Sequence, residues 1–152
     1  MANRSRSCAR WAVGEPRLRT VFRDGAVWVV DKPAGLPTQS PRGGGDNLYD
    51  RARAEAPYVG LHHRLDTGAS GLVLFVVDPA ANRAIAAAFR DHRIERTYHA
   101  IAWGSVRAGV WDRPVDGKRA HTDVEVVGEA RGLTALILRP RTCLLYTSDA
   151  AD

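Results

Sequence analysis

The segment His63-Arg64-Leu65-Asp66-Thr67-Gly68-Ala69-Ser70-Gly71-Leu72 places one carboxylate in a tight turn between charged and polar neighbours, and it runs directly into Val73-Leu74-Phe75-Val76-Val77. That apolar run reads as a buried strand. A polar turn feeding a rigid strand is a good place to hold a nucleophile. An aspartate at neutral pH only accepts hydrogen bonds and is a weak nucleophile, so it attacks carbon only when positioned, partly desolvated and charge-balanced. Taken alone, Asp66 reads more readily as a turn residue capping backbone N–H groups, which aspartate does for local hydrogen-bonding reasons. Arg64 alone could be an ordinary surface charge, and Tyr98 a core tyrosine in a strand.

Other chemistries find less support in the sequence. The loop Pro41-Arg42-Gly43-Gly44-Gly45-Asp46 is glycine-rich but lacks the Gly-Lys-Ser/Thr ending of a phosphate cradle, so it reads as a mobile surface loop. Cys8 and Cys143 stand far apart with no metal-ligand spacing, which argues against a disulfide framework and a zinc site. A glycoside-cleaving enzyme needs a pair of carboxylates, whereas the motif supplies one. Glu55, Asp78 and Asp91 fall on helices or caps and are poor candidates for the second.

The elements that must carry Asp66 follow from patterning. Leu18–Arg23 and Ala26–Asp31 are apolar runs separated by Asp24-Gly25, the dipeptide of a two-residue hairpin turn in which both residues take positive φ. Pro33, Gly35 and Pro37 end the second strand. Asn47 is placed to cap a short helix through Leu48, Tyr49, Ala52 and Ala56, which Pro57 ends. Tyr58–Leu61 is expected to be a strand leading into the key turn. After the 73–77 strand, Asp78-Pro79 is an N-cap with proline at the first helical position. The helix should run to about Asp91, with Ala81, Ile85, Ala88 and Phe89 on its buried face. Further strands are expected over 95–103, 124–127 and 133–138, with a turn at Asp116-Gly117. Mostly strands with one strong helix predicts an α+β fold on a mixed sheet.

The chain has 152 residues, 45% of them hydrophobic, enough for one core and a single domain over 17–142. Residues 1–16 read as a flexible basic leader. The formal net charge is +5 with a pI near 9.8, and Lys32 and Lys118 are the only lysines. An arginine-rich surface favours phosphate contacts and base stacking, hence a nucleic-acid partner, although a GC-rich gene also inflates arginine. No apolar run approaches membrane-spanning length and no signal-peptide pattern follows the leader, so a soluble cytoplasmic protein without a membrane partner is expected.

The central segment resembles the signature of the RluA-type pseudouridine synthases, His-Arg-Leu-Asp, two variable residues, then Thr-Ser-Gly-Leu, with Ala69 where that pattern has threonine. Val29-Val30-Asp31-Lys32-Pro33-Ala34-Gly35-Leu36 is similar to the family's early Lys-Pro-x-Gly segment. Arg96-Thr97-Tyr98-His99-Ala100 is similar to its Lys-x-Tyr-x-Ala strand, and the likeness covers about residues 20–142. The resemblance implies the family's catalytic fold, a mixed, mostly antiparallel sheet with flanking helices, and isomerisation of uridine to pseudouridine in RNA. Asp66 matches the catalytic aspartate that initiates cleavage of the N-glycosidic bond. Tyr98 matches the tyrosine that stacks on the target base and assists proton loss from C5. Arg64 matches the arginine that fills the space left by the flipped nucleotide, which recovers part of the stacking lost. His63 is grouped with Arg64 at the RNA side and assigned to shaping the turn. No cofactor or metal is implied, and the RNA, ribosomal or transfer, is left open. A monomer is compatible with a chain lacking an appended RNA-binding domain.

The resemblance breaks after Thr142. There the family runs into Gly-Arg-x-His-Gln-Ile-Arg, whose arginine pairs with the catalytic carboxylate, whereas this chain has Cys143-Leu144-Leu145. Residues 143–152 read as a non-native tail that leaves the fold incomplete at its C-terminus. The chain as written is therefore expected to be inactive or barely active, and poorly stable because a sheet edge is left uncovered. A non-catalytic RNA-binding fragment is the competing reading.

Overall fold

The structure, a computed structural model, describes residues 18–40, 44–115 and 117–142. The leader expected over 1–16 and the tail from Cys143 lie outside the described residues, as does Asp116 of one expected turn. The chain divides between Pro79 and Ala80 into two compact units.

The first unit carries β1 (Thr20–Arg23), β2 (Val27–Lys32), α1 (Leu48–Glu55), β3 (Gly60–Leu61) and β4 (Gly71–Val76), with sheet order β1-β2-β4-β3. β2 alternates so that Trp28, Val30 and Lys32 face inward, and its pairing with β4 sets Trp28 opposite Phe75 and Val30 opposite Val73. Two-residue periodicity therefore builds the core and also carries a lysine into it. The Trp28 and Phe75 rings lie 6.1 Å apart, and the Trp28 indole N–H, which burial would otherwise leave unpaired, donates to Thr20 Oγ1 at 2.9 Å. Leu36, Leu48, Ala52 and Val59 complete the core.

The β1–β2 hairpin forms, but neither Asp24 nor Gly25 takes positive φ. The turn is closed by the Asp24 N–H donating to Val27 O at 3.0 Å and by the Asp24 carboxylate, which accepts the backbone N–H groups of Ala26 and Val27, each at 2.8 Å. A side-chain acceptor here supports the backbone bond without the positive φ expected of the dipeptide. A hairpin turn with both residues at positive φ stands instead at Arg131 (φ 54°) and Gly132 (φ 74°), between two later strands. Asn47 caps α1 as expected, its side-chain oxygen accepting the Asp50 N–H at 2.9 Å. The strand expected over 58–61 shortens to β3.

α2 (Pro79–Arg90) begins at the expected proline, and among its residues Phe89 is buried. The second unit then carries β5 (Tyr98–Trp103), β6 (Gly109–Trp111), β7 (Thr122–Ala130) and β8 (Leu133–Pro140), in sheet order β5-β8-β7-β6. β7 and β8 extend beyond the runs expected for them because a tight turn at Arg131-Gly132 lets the pairing continue to both ends. β6 has no counterpart among the expected strands, since Gly-Val-Trp is too short to show a period. Every pairing among the described strands is antiparallel, giving an α+β fold with antiparallel sheets. Among the described residues no helix is long and apolar enough to cross a membrane.

Candidate active site

Residues 62–70 form the irregular connection from β3 to β4, two strands that pair with each other, so Asp66 sits on a loop whose two ends are fixed by one sheet. Within that loop Arg64 and Asp66 are exposed while Leu65 packs against the core between them. An apolar residue held inward orients its two neighbours outward, which is how a short turn presents charge without floating free. The Asp66 carbonyl accepts the Ala69 N–H at 3.0 Å, closing the turn. Gly71 follows with φ +133°, a conformation that L side chains rarely adopt, and a Cβ there would meet Leu65 Cδ1 at 3.8 Å.

Three sets of bonds hold the loop. His63 Nε2 accepts the Leu74 N–H at 2.9 Å, which fixes the imidazole with its proton on Nδ1 when neutral. The Thr38 hydroxyl donates to Leu65 O at 2.6 Å and is within 3.1 Å of the Leu65 N–H. Thr67 O accepts the Gly35 N–H at 2.7 Å and a longer contact from Lys32 Nζ at 3.5 Å.

Lys32 is the residue that sequence reasoning passed over. It is fully buried, and its ammonium donates to Leu36 O at 2.7 Å and Pro33 O at 3.1 Å. Burial pushes the Lys32 amine below its ordinary range, and the negative charge of Asp66 works against that push. The buried cation thus lies within electrostatic reach of the candidate nucleophile. The signal was present: Lys32 continues the Trp28, Val30 alternation of β2.

Tyr98 belongs to the second unit. It is half-buried at the start of β5, opposite Leu138, on the strand face it shares with Ala100 and Ala102. The other face of β5 is open, with Ile101 74% and Trp103 86% exposed. Arg96 reaches the Thr142 carbonyl at 3.5 Å. The alternative carboxylates are engaged elsewhere: Glu55 accepts the Leu18 N–H at 3.2 Å, and Asp91 pairs with Arg90 and Arg93. Among the described residues no group of histidine, cysteine and acidic side chains is arranged to hold a metal.

Comparison with known proteins identifies a family for the chain. Residues 26–144 match the family described as RNA pseudouridylate synthase. The chain is 31% identical to the dual-specificity RNA pseudouridine synthase RluA of Escherichia coli K12, over 84% of this chain and 68% of that protein. It is 29% identical to an uncharacterized RNA pseudouridine synthase of Zymomonas mobilis, over 82% of this chain and 67% of the relative. Among solved structures, human RNA pseudouridylate synthase domain containing 4 superposes with a TM-score of 0.68 at 22% identity, covering 84% of this chain and 60% of that one. The chain therefore spans about two thirds of the length of these curated relatives and about three fifths of that solved chain. With the Asp66 turn, the strand that anchors it and the family match all falling on one stretch, the chain belongs to the RNA pseudouridylate synthase family, of the RluA type.

Proposed function

We propose that this protein isomerises specific uridines of ribosomal or transfer RNA to pseudouridine, with Asp66 as the catalytic aspartate. The observation that carries this reading is the backbone grip on Leu65 and Thr67, which holds an exposed carboxylate between two fixed residues. In the reaction the N1–C1′ bond of uridine breaks, the base turns, a C5–C1′ bond forms, the C5 proton leaves and N1 takes a proton, so nothing is oxidised or reduced. Asp66 starts the cleavage. Tyr98 stacks on the base and assists loss of the C5 proton. Arg64, with His63 beside it, contacts the RNA where the flipped nucleotide leaves its stack. The reaction asks for no metal or cofactor. The protein works as a cytoplasmic monomer, with 17–142 as the catalytic domain.

A second reading is RNA binding without turnover, favoured by Cys143-Leu144-Leu145 standing where the family pattern has its carboxylate-pairing arginine. On this account the chain as written binds RNA and does not turn it over. Tritium release from 5-tritiated uridine RNA separates the two. Release that depends on Asp66 supports the synthase. RNA affinity that falls with salt, is indifferent to Asp66→Asn and is accompanied by no release supports the binding module.

A further inference from the structure

We propose that Thr38 is a positioning residue for Asp66, fixing the backbone that carries the carboxylate; the inference rests on the reading of Asp66 as catalytic. Thr38 is 3% exposed, and its hydroxyl bonds twice to one residue, donating to Leu65 O at 2.6 Å and accepting from Leu65 N at 3.1 Å. A hydroxyl has one donor and two acceptor sites, so a single side chain satisfies both backbone groups of the residue immediately before Asp66. Thr38 is itself anchored. Its carbonyl accepts the Tyr49 N–H at 3.0 Å, and the neighbouring Pro37 carbonyl accepts the Leu48 N–H at 2.9 Å, so the first turn of α1 holds this segment in place. On the far side of Asp66, Thr67 O is gripped by the Gly35 N–H. The residues before and after Asp66 are therefore both tied to the stretch 35–38. A loop held on both sides of a nucleophile keeps it within the narrow tolerance that attack on carbon demands, where a displacement of about 1 Å costs about a hundredfold in rate.

The test compares Thr38→Val, which keeps the shape and removes the hydroxyl, with Thr38→Ser, which keeps the hydroxyl. Amide hydrogen exchange at Leu65 reads the clasp directly, and Val73 in β4 reports the integrity of the core. The expected result is Leu65 exchange about tenfold faster in Thr38→Val, restored in Thr38→Ser, with Val73 unchanged in both. In single-turnover tritium release, Thr38→Val should lower the saturated rate about tenfold or more at unchanged half-saturating RNA, and Thr38→Ser should stay near the parent. Unchanged Leu65 exchange in Thr38→Val overturns the proposal, as does an unchanged rate. If Val73 also exchanges fast in Thr38→Val, Thr38→Ala carries the same comparison. If the parent chain releases no tritium, the synthase reading falls, and the clasp is judged on Leu65 exchange alone.

Discussion

The imidazole of His63 accepts the backbone N–H of Leu74 at 2.9 Å. β3 pairs only with Val76 and Phe75 of β4, so the ring takes over an edge donor just where that strand stops. His63→Ala should destabilise the protein by about 1 kcal/mol, the cost of a part-buried donor left without its acceptor. His63→Gln, whose amide oxygen can take the place of Nε2, should recover part of it. Urea unfolding of both variants checks the pair, and equal stability of His63→Ala and the parent would contradict the bond.

Lys32→Met removes a buried ammonium that serves the carbonyls of Leu36 and Pro33. Two effects oppose each other. The methionine spares the desolvation of a charge, but the Leu36 carbonyl loses its donor in a buried site and the Pro33 carbonyl in a part-buried one. The orphaned Leu36 carbonyl should dominate because its bond to the ammonium is short, 2.7 Å, and buried, for a net loss of about 1–3 kcal/mol in urea unfolding.

Trp28→Ala should be the most damaging single change in the first unit. It empties a fully buried position against Phe75 and leaves Thr20 Oγ1 without the indole donor. Core aromatic-to-alanine changes cost about 3–5 kcal/mol. A shift of the urea midpoint with unchanged slope measures it.

Stability should fall in acid for identifiable reasons. The backbone N–H groups of Val27 and Ala26 hold the Asp24 carboxyl below its ordinary range, Arg51 does so for Asp46, and Arg141 for Asp123. A carboxylate whose folded pKa is depressed contributes stability that is present above the unfolded value, about 3.9, and lost as pH falls through the folded one. Thermal midpoints should therefore hold near neutrality and drop below about pH 4. Asp123→Asn should flatten that drop, and a midpoint independent of pH over that range would contradict the assignment.

Much of the fold was legible in the sequence where one local rule governs an element. Asn47 and Pro79 mark helix starts because capping and proline φ act within one turn, and Trp28 and Val30 declare the core face of β2 by alternation. The Asp24-Gly25 turn misled because dipeptide statistics do not see the carboxylate bonding forward to Ala26 and Val27. At the candidate site Asp66 stood out through its motif, whereas Thr38 acts through bonds to a residue 27 positions away, and Lys32 meets the Asp66 turn only by its longest contact, to a residue 35 positions away. Such long-range pairing to backbone carbonyls leaves no local pattern to read, although the inward phase of Lys32 on β2 was available.

The central claim is that Asp66 carries the chemistry, and single-turnover tritium release from 5-tritiated uridine RNA, with protein in excess, tests it most directly because even a barely active chain registers. The account predicts release above the RNA-only background by the parent chain, abolished by Asp66→Asn while RNA affinity is retained. Equal release by the parent and Asp66→Asn, or none by the parent even in excess, would contradict it.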